Sequence, residues 1–277
     1  MKKYLVIGNP IGHSLSPLIH NHWMKKYKLK DSIYEKKKIE KEDLKRIVDQ
    51  VRNGEIEGVN ITVPFKKEII SLLDRVQGDA LLTQSVNTLC KANNEVHGYN
   101  TDTKGFKESL QDKSINYENK NIYILGAGGV TASILKAFTD KAKKIYITNR
   151  TKKKAEELKK LGDKAITVLR GEKEIIEVIN WGKKPEICDI VINTTSVGLI
   201  KGENLDLDFE DYKNNKNVLF YDLIYNPKET NFLKSAKLRG NKTMNGKMMF
   251  LWQAQIAFKI WTNISPEINN EVIKLLD

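Results

Sequence analysis

Apolar positions in the first hundred residues change repeatedly between strand-like runs and helical spacing. Short apolar runs at residues 4–7 and 58–63, and another near Ile33, have the length expected of strands. Segments that begin near Pro17 and Lys41 instead repeat apolar residues at the spacing of helices. Because strands and helices alternate along the chain, the pattern predicts an α/β fold.

The alternation restarts after a polar stretch at residues 111–119. A strand at 121–125, a glycine turn, a helix ending near Asp140 and a strand at 144–148 form a predicted βαβ unit. Further strands are predicted in the same half of the chain, at residues 190–193 and 218–222. This second half therefore predicts a doubly wound sheet.

The length of the chain, 277 residues, exceeds that of most single hydrophobic cores and predicts two domains. A final segment, 247–261, is apolar nearly all round, so it must be buried and can close the first domain by returning to it. We expect a mixed-sheet domain formed by residues 1–104 with 240–277. Residues 105–239 are expected to form a Rossmann-type domain, with the site in a cleft between the two.

The composition is that of an ordinary globular protein, with 40% hydrophobic and 30% charged residues. No apolar stretch approaches the roughly 20 residues of a membrane helix, so we expect a soluble, cytoplasmic protein. Cys90 and Cys188 lack a CxxC pattern and are expected to be small buried residues. His20 and His22 are two positions apart and do not share a helix face, so no metal site is predicted.

The formal net charge of +12 is compatible with nucleic-acid binding. Lysine dominates this charge, however, and is spread along helical segments such as 152–160 with glutamates between. No interleaving of aromatic residues with arginine, zinc finger or recognition helix accompanies it. We therefore expect small anionic ligands and no nucleic acid. The sequence does not decide the oligomeric state, and a homodimer stays open.

A glycine turn follows the first strand of the second half. It consists of Gly126, Ala127, Gly128, Gly129 and Val130, and Thr131 takes the place of the third glycine of a dinucleotide-binding motif. The first two glycines allow backbone amides to approach a pyrophosphate at a helix N-terminus. A tight strand-to-helix turn without a ligand is the alternative.

The end of the next strand indicates which dinucleotide would bind. An NAD site would place an acidic residue about 20 residues beyond the turn, whereas this chain has Asn149, Arg150 and Thr151, followed by Lys154. Arginine at this place suits the 2′-phosphate of NADP. A solvated helix start is the alternative for the lysines and explains Lys153.

Two pairs of polar residues in the first half have the spacing of ligand-binding groups. Ser14 and Ser16 precede a helix and can form an anion nest that would fit a carboxylate, with helix capping as the alternative. Asn60 and Thr62 alternate with apolar residues and are expected on one strand face, where a polyol could bind. A loop cap is the alternative for Asn60.

Three further residues carry candidate chemistry. Lys66 is expected at a helix start, where a cation opposes the helix dipole and a purely structural role is unfavourable. Asp102 closes an extended run, and a helix N-cap is its alternative role. Gln253 falls within an apolar helical stripe and needs hydrogen-bonding partners, which backbone groups of the core could supply.

Short polar motifs follow one another in a fixed order over nearly the whole chain. They are Ser14-Leu15-Ser16-Pro17, Asn60-Ile61-Thr62-Val63-Pro64-Phe65-Lys66, Val86-Asn87-Thr88, Asn100-Thr101-Asp102, the glycine turn, Asn149-Arg150-Thr151, Asn193-Thr194-Thr195-Ser196-Val197-Gly198, Asp222-Leu223-Ile224-Tyr225-Asn226-Pro227 and Gln253. Together they resemble the ordered signatures of the shikimate dehydrogenase family.

The resemblance implies NADP-dependent reduction of 3-dehydroshikimate to shikimate. It implies that Lys66 and Asp102 form the catalytic pair, in a substrate-binding catalytic domain, with NADP held by the other domain. The resemblance further implies residues that contact the substrate: Ser14, Ser16, Asn60, Thr62, Asn87, Tyr225 and Gln253. The cofactor residues that it adds to the glycine turn and the arginine segment are Thr195, Ser196, Leu223 and Gly246.

The chain departs from the family pattern in two places. Met248 stands where a small residue is usual, and Gln84-Ser85 replaces a usual glycine and small residue before Val86. Neither change removes a catalytic group. A quinate/shikimate dehydrogenase working with NAD, and a non-catalytic regulator that binds a shikimate-like ligand, are the alternatives in function.

Overall fold

The computed structural model describes residues 1–171, 174–200 and 202–277 of the chain. These residues form two compact units. The first unit comprises Met1–Glu108 and Leu251–Asp277, and the second comprises Ser109–Phe250.

The first unit contains a mixed sheet, as predicted. Its strands are Lys2–Gly8 (β1), Ser32–Lys38 (β2), Gly58–Ile61 (β3), Arg75–Val76 (β4), Thr88–Ala92 (β5) and Glu95–Tyr99 (β6). The strand order is β2-β1-β3-β5-β6-β4. β1 is parallel to β2 and β3, whereas β5 is antiparallel to β3 and β6.

Helices flank this sheet. They are Ser16–Lys26 (α1), Leu44–Arg52 (α2), Asp79–Thr83 (α3) and Asp102–Asp112 (α4), with 3-10 helices at Lys41–Asp43 and Glu68–Leu72. α2 buries Leu44, Ile47 and Val51 against Val59 and Ile61 of β3. Since successive strand residues point to opposite faces, this packing places Asn60 on the other face of the sheet.

β3 ends two residues earlier than the predicted strand at 58–63. The amide of Thr62 still donates to the carbonyl of Ile7, at 2.9 Å. Val63 leaves the sheet and is 57% exposed, next to Pro64, which lacks the N–H that a ladder needs. Thr62 therefore lies just beyond the strand and not within it.

The second unit contains a parallel sheet. Its strands are Asn121–Leu125 (β7), Lys144–Thr148 (β8), Ile176–Val178 (β9), Ile190–Asn193 (β10), Leu219–Asp222 (β11) and Lys242–Met244 (β12). The strand order is β12-β11-β10-β7-β8-β9. Counted from β7, this is the order 6-5-4-1-2-3 of the dinucleotide-binding fold. The predicted Rossmann-type sheet is confirmed.

The remaining helices connect these strands or follow them. They are Thr131–Phe138 (α5), Lys152–Arg170 (α6), Asn231–Leu238 (α7), Lys247–Thr262 (α8) and Asn270–Lys274 (α9), with a 3-10 helix at Glu210–Asn214. The reversal of strand order between β7 and β10 is where such sheets bind ligands, at the carboxyl ends of the strands. The glycine turn follows β7 at that edge.

The units differ at their boundaries from the predicted domains. Residues 240–250 belong to the second unit because β12 pairs with β11, and residues 105–108 belong to the first. β12 is short, and its residues Lys242 and Thr243 are exposed. The sequence therefore has no apolar run there that would predict a strand. α8 begins in the second unit, and from Leu251 onward it belongs to the first.

The end of α8 packs closely on the sheet of the first unit. The indole Nε1 of Trp261 donates to the carbonyl of Leu89 at 2.9 Å. A Cβ added to Gly58 would overlap the indole of Trp261. Glycine at position 58 is thus required by the close approach of a large ring.

We predict that Gly58→Ala destabilises the protein by about 1–3 kcal/mol because the methyl group forces the half-buried indole of Trp261 to shift. The change is measured as the free energy of unfolding in denaturant. Gly12→Ala is the matched control, since a Cβ at position 12 meets no atom within 4 Å. Equal stability of the two variants would contradict this packing.

Candidate active site

Lys66 and Asp102 form a buried ion pair in the first unit. The ammonium Nζ of Lys66 lies 2.6 Å from Oδ2 of Asp102, and the two residues are 8% and 5% exposed. The cost of removing both charges from water offsets much of their attraction, so such a pair is a poor way to gain stability. A chemical role explains the buried pair better than a contribution to stability does.

The position of Lys66 differs in detail from the prediction. Lys66 follows the turn after β3 and precedes the 3-10 helix Glu68–Leu72, so it does not begin an α-helix. Pro64 breaks the strand, and the turn brings the lysine side chain to Asp102 at the start of α4. A carboxylate in the first turn of a helix is favoured by the helix dipole.

Asp102 is not the N-cap of α4. The side-chain Oδ1 of Asn100 accepts hydrogen bonds from the amides of Asp102 and Thr103, at 3.0 and 3.2 Å. Asn100 therefore supplies the capping oxygen. The carboxylate of Asp102 is left for other partners, and the capping alternative is excluded for it.

Asn87 orients the carboxylate of Asp102 from the other side. Its Nδ2 donates to Oδ1 of Asp102 and to Oγ1 of Thr101, both at 2.9 Å. Its Oδ1 accepts from the amide of Thr101 at 2.8 Å. The two carboxylate oxygens of Asp102 thus have different partners, the ammonium of Lys66 and the amide of Asn87.

Asn60 lies within β3 and is only 7% exposed, which excludes a loop cap. Its Oδ1 accepts from the hydroxyl of Tyr34 at 2.6 Å. Its Nδ2 donates to Oγ1 of Thr88 at 3.0 Å and to the carbonyl of Asn87 at 3.1 Å. Asn60 is therefore held rigidly by neighbouring strands.

Ser14 and Ser16 lie at the start of α1. The hydroxyl of Ser14 donates to Oγ of Ser16 at 3.2 Å, and it accepts from the amide of Ser16 at 3.3 Å. α1 has Leu15 as its N-cap, without a capping bond from a side chain. Capping alone does not account for the two hydroxyls.

The other predicted substrate residues are less enclosed. Thr62 and Gln253 are half-buried in the first unit. A Cβ added to Gly105 of α4 would lie 2.7 Å from the amide nitrogen of Gln253 in α8, so these two helices are in close contact. Tyr225 belongs to the second unit, where its ring stacks on Phe250 with centroids 4.5 Å apart.

Residues that the sequence did not single out contribute to this site. They are Tyr34, Thr88, Asn100 and Thr101, each hydrogen-bonded to a predicted site residue. Asn100, Thr101 and Thr88 stand inside the quoted motifs. The sequence pattern could not identify Tyr34 as a functional residue, because a buried tyrosine in a strand is as common in a hydrophobic core as in a binding site.

The glycine turn has the geometry that a dinucleotide needs. Gly126 has a φ of +112°, and a Cβ there would lie 2.7 Å from Oγ1 of Thr194. Gly128 and Gly129 are exposed, and a Cβ on Gly128 would meet no atom within 4 Å. The turn thus presents open backbone at the N-terminus of α5, which fits a pyrophosphate.

Thr131, at the third glycine position, is fully buried and ties the turn together. Its Oγ1 accepts from the amide of Gly128 at 2.9 Å and is hydrogen-bonded to Oγ1 of Thr194 at 2.8 Å. The hydroxyl thereby joins the loop after β7 to the loop after β10. Threonine in place of the third glycine therefore stabilises the turn and does not disrupt it.

The start of α6 is strongly cationic. Arg150, Thr151 and Lys154 are exposed, and the first turn of the helix contains no acidic residue. The side chain of Asn149 donates to the carbonyl of Thr151 at 2.9 Å, which fixes the bend before the helix. Cations at a helix N-terminus oppose the dipole, and an anion such as a 2′-phosphate would offset that repulsion.

Asp222 organises two loops at the carboxyl edge of the same sheet. Its Oδ1 accepts from Nδ2 of Asn193 at 3.1 Å and from the amide of Ile224 at 3.0 Å. Oδ1 of Asn193 in turn accepts from the amide and the hydroxyl of Thr195. Burial raises the pKa of the Asp222 carboxyl to about 6, and Thr230 donates to its other oxygen at 2.6 Å.

The remaining predicted cofactor residues lie on these loops. Ser196 is exposed, directly after Thr195, and Leu223 is half-buried, directly after β11. A Cβ on Gly246 would overlap the backbone of Leu223. Glycine is needed at position 246 by this packing, which brings Leu223 and Gly246 together.

The structure also bears on simpler expectations. Cys90 and Cys188 are free and buried, as predicted. Across residues 1–171, 174–200 and 202–277, no group of three or more potential metal ligands occurs. Within the same ranges, the helices are too short or too polar to cross a membrane.

Gln84 shows how a departure from the family pattern is accommodated. It adopts the left-handed conformation, with φ +47°, where glycine is easily placed. Its side chain donates to the carbonyl of Leu81 at 2.8 Å. The loop before Asn87 therefore keeps a glycine-like bend with a different residue.

Comparison with known proteins identifies the family of both units. Residues 6–89 match the model of the shikimate dehydrogenase substrate binding domain, and residues 108–231 match that of shikimate / quinate 5-dehydrogenase. A curated shikimate dehydrogenase (NADP(+)) of Pelagibacter ubique is 48% identical over 277 residues, covering 100% of this chain and 99% of the relative.

Solved structures agree with the sequence relatives. A shikimate dehydrogenase in complex with NADP+ is 34% identical, with a TM-score of 0.87 over 100% of this chain and 94% of that one. The shikimate 5-dehydrogenase of Thermus thermophilus in complex with NADP(H) and shikimate is 29% identical. Its TM-score is 0.85 over 100% of this chain and 98% of that one. On this evidence, the chain belongs to the shikimate dehydrogenase family.

Proposed function

We propose that the protein catalyses the reversible, NADP-dependent reduction of 3-dehydroshikimate to shikimate, a step of aromatic amino acid biosynthesis. The observation that carries the proposal is the buried Lys66–Asp102 pair at 2.6 Å. The other substrate residues that are predicted in the same unit are polar, and they are buried or half-buried. A family whose curated members carry this activity supports it.

Reduction of the ketone requires a hydride at the carbonyl carbon and a proton at the oxygen. Bound NADPH supplies the hydride. The ammonium of Lys66 stabilises the negative charge that develops on the oxygen and donates the proton. Asp102 holds the ammonium in place and contacts the substrate hydroxyl beside the reacting carbon, while Asn87 keeps its carboxylate oriented.

The remaining substrate residues hold the ring in position, which is a large part of such catalysis. Ser14 and Ser16 bind the carboxylate. The hydroxyl groups of the ring are bound by other polar side chains of the first unit: Asn60, Thr62, Asn87 and Gln253. A carboxylate at one end and hydroxyls around the ring together distinguish shikimate from simple ketones.

NADP would be held by the second unit. The amides of residues 126–130 bind the pyrophosphate, and Arg150, with Thr151 and Lys154, binds the 2′-phosphate. Asn149 shapes this segment. The loops that contain Thr195, Ser196, Leu223 and Gly246 bind the rest of the dinucleotide. A cytoplasmic location remains a prediction, and a homodimer stays open.

Oxidation of quinate is the second candidate activity, because the matched family model covers quinate as well as shikimate dehydrogenases. Quinate also has a ring carboxylate and hydroxyls, so the groups in the first unit could bind both. Arg150, without an acidic residue in the first turn of α6, favours NADP over the NAD of the alternative.

Lys66→Ala is expected to lower kcat for shikimate oxidation by about 10² or more, with a smaller effect on KM, because its charge matters most as the alkoxide forms. Lys67→Ala is the matched control, since Lys67 is exposed and adjacent. Steady-state kinetics of NADPH formation measure both variants. An unchanged kcat for Lys66→Ala would remove the lysine from the mechanism.

Ser14→Ala combined with Ser16→Ala is expected to weaken the binding of shikimate far more than that of an analogue without the carboxylate. The hydroxyls are the proposed partners of that group, so only the carboxylate-bearing ligand loses contacts. Dissociation constants from calorimetry provide the comparison. Equal weakening of both ligands would show that the serines only support α1.

Arg150→Asp is expected to erase or reverse the preference for NADP. If the contacts of Arg150, Thr151 and Lys154 with the 2′-phosphate contribute roughly 3 kcal/mol, the unmodified enzyme prefers NADP by on the order of 10² in kcat/KM. The variant should keep its affinity for shikimate, because the substrate residues around Lys66 lie in the first unit.

Lys153→Asp is the matched control for this prediction, since Lys153 is exposed in the first turn of α6, three residues after Arg150, and the change in charge is identical. It should keep most of the preference for NADP. Steady-state kinetics with both cofactors decide the matter. The same shift in both variants would mean that only the overall charge matters, and no shift in Arg150→Asp would make it a simple surface charge.

A further inference from the structure

Six polar residues of the first unit form a chain of hydrogen bonds. It begins at the hydroxyl of Tyr34 and ends at the ammonium of Lys66. The members in order are Tyr34, Asn60, Thr88, Asn87, Asp102 and Lys66. The chain thus joins β2 to the proposed catalytic pair.

Two members of the chain have no role in the reaction so far, Tyr34 and Thr88. Tyr34 is 1% exposed and Thr88 is fully buried, so neither offers surface to a substrate. Each bonds to residues that do have proposed roles. Tyr34 donates to Asn60, and Thr88 is hydrogen-bonded to Asn60 and Asn87.

Tyr34 is the first donor of the chain. Its hydroxyl donates to Oδ1 of Asn60 at 2.6 Å, which turns Nδ2 of Asn60 toward Thr88. Thr88 accepts that bond, so its own hydrogen points to Oδ1 of Asn87, at 3.1 Å. A side-chain amide has a distinct oxygen and nitrogen end, so the orientation of one amide determines that of the next.

The far end of the chain is fixed in the same way. With Oδ1 of Asn87 facing Thr88, its Nδ2 faces Oδ1 of Asp102 at 2.9 Å. Oδ2 of Asp102 then remains for Lys66. If Asn87 were reversed, its amide oxygen would face the carboxylate and repel it. The backbone amide of Thr101, which donates to Oδ1 of Asn87 at 2.8 Å, favours the same orientation, and Tyr34 and Thr88 reinforce it from the sheet.

Tyr34 itself is held from several sides. The side chain of Asn21 binds its backbone at both groups, at 2.8 and 2.9 Å. The ring of His20 stacks on the phenol, with centroids 4.3 Å apart and planes 4° from parallel. Burial raises the pKa of Tyr34 well above its usual value and lowers that of His20 to about 3. The phenol therefore stays a donor, and its neighbour stays uncharged.

We propose that Tyr34 and Thr88 are positioning residues for the reaction, which orient Asn60, Asn87 and Asp102 through this chain of hydrogen bonds. The proposal rests on the proposed function and adds residues that touch neither substrate nor cofactor.

The test removes one hydroxyl without changing shape. Tyr34→Phe should lower kcat for shikimate oxidation about tenfold, because Asn60 and the groups beyond it lose their fixed orientation. Tyr123→Phe is the matched control. Its hydroxyl is also buried and donates to the carbonyl of Lys183 at 2.7 Å in the second unit, so this variant should lose similar stability and keep its kcat.

A second pair of variants tests the chain at Thr88. Thr88→Val removes the hydroxyl and should lower kcat, whereas Thr88→Ser retains it and should restore most of the rate. If the residues act through one chain, breaking a second hydrogen bond lowers kcat little further. The double variant Tyr34→Phe with Thr88→Val should therefore be about as slow as the slower single variant. Independent structural effects would instead multiply the two losses.

The outcomes separate the two proposals. An unmodified protein that fails to reduce NADP with shikimate would overturn both the function and the positioning roles. Activity in the unmodified protein with an unchanged kcat in Tyr34→Phe, or equal rates for Thr88→Val and Thr88→Ser, would overturn the positioning roles alone. The Thr88 comparison decides the matter if Tyr34→Phe does not fold.

Discussion

The buried contact between the ammonium of Lys66 and the carboxylate of Asp102 is the constraint on which the first unit depends. Taken out of water, both charges are costly unless their remaining hydrogen bonds are satisfied. Asn87 satisfies the second oxygen of Asp102, and the amide of Asn87 is in turn held by Thr101 and Thr88. The consequence is a rigid polar layer on one face of the mixed sheet, and Lys66 is held within it.

The second unit differs from the first, because its backbone at the glycine turn and its cationic side chains at the start of α6 are exposed and can bind an anionic ligand. Its parallel strands are buried, while the loops at their carboxyl ends are tied to one another by short polar contacts. Thr131 joins the loop after β7 to the loop after β10, and Asp222 joins the loop after β10 to the loop after β11 through Asn193 and Ile224. These ties hold the exposed glycines and the cationic start of α6 without occupying them.

The sequence predicted the parallel sheet well, because buried parallel strands are continuous apolar runs. β7, β8 and β10 lie at the expected residues, whereas the short polar strand β12 gave no such signal and displaced a domain boundary. Asn60 and Tyr34 are 26 positions apart, and Asn60 and Thr88 are 28 apart. No local pattern reveals such pairs. The role of Asp102 was ambiguous for the same reason, until the structure showed Asn100 as the cap.

The measurement that tests the account most directly is the initial rate of NADPH formation by the unmodified protein, followed by absorbance with shikimate and then with quinate. The account predicts rapid, saturable reduction of NADP with shikimate. It also predicts a much slower reaction when NAD replaces NADP. No reduction of either cofactor by shikimate, with the protein folded, would contradict the central claim that the Lys66–Asp102 pair is a dehydrogenase centre.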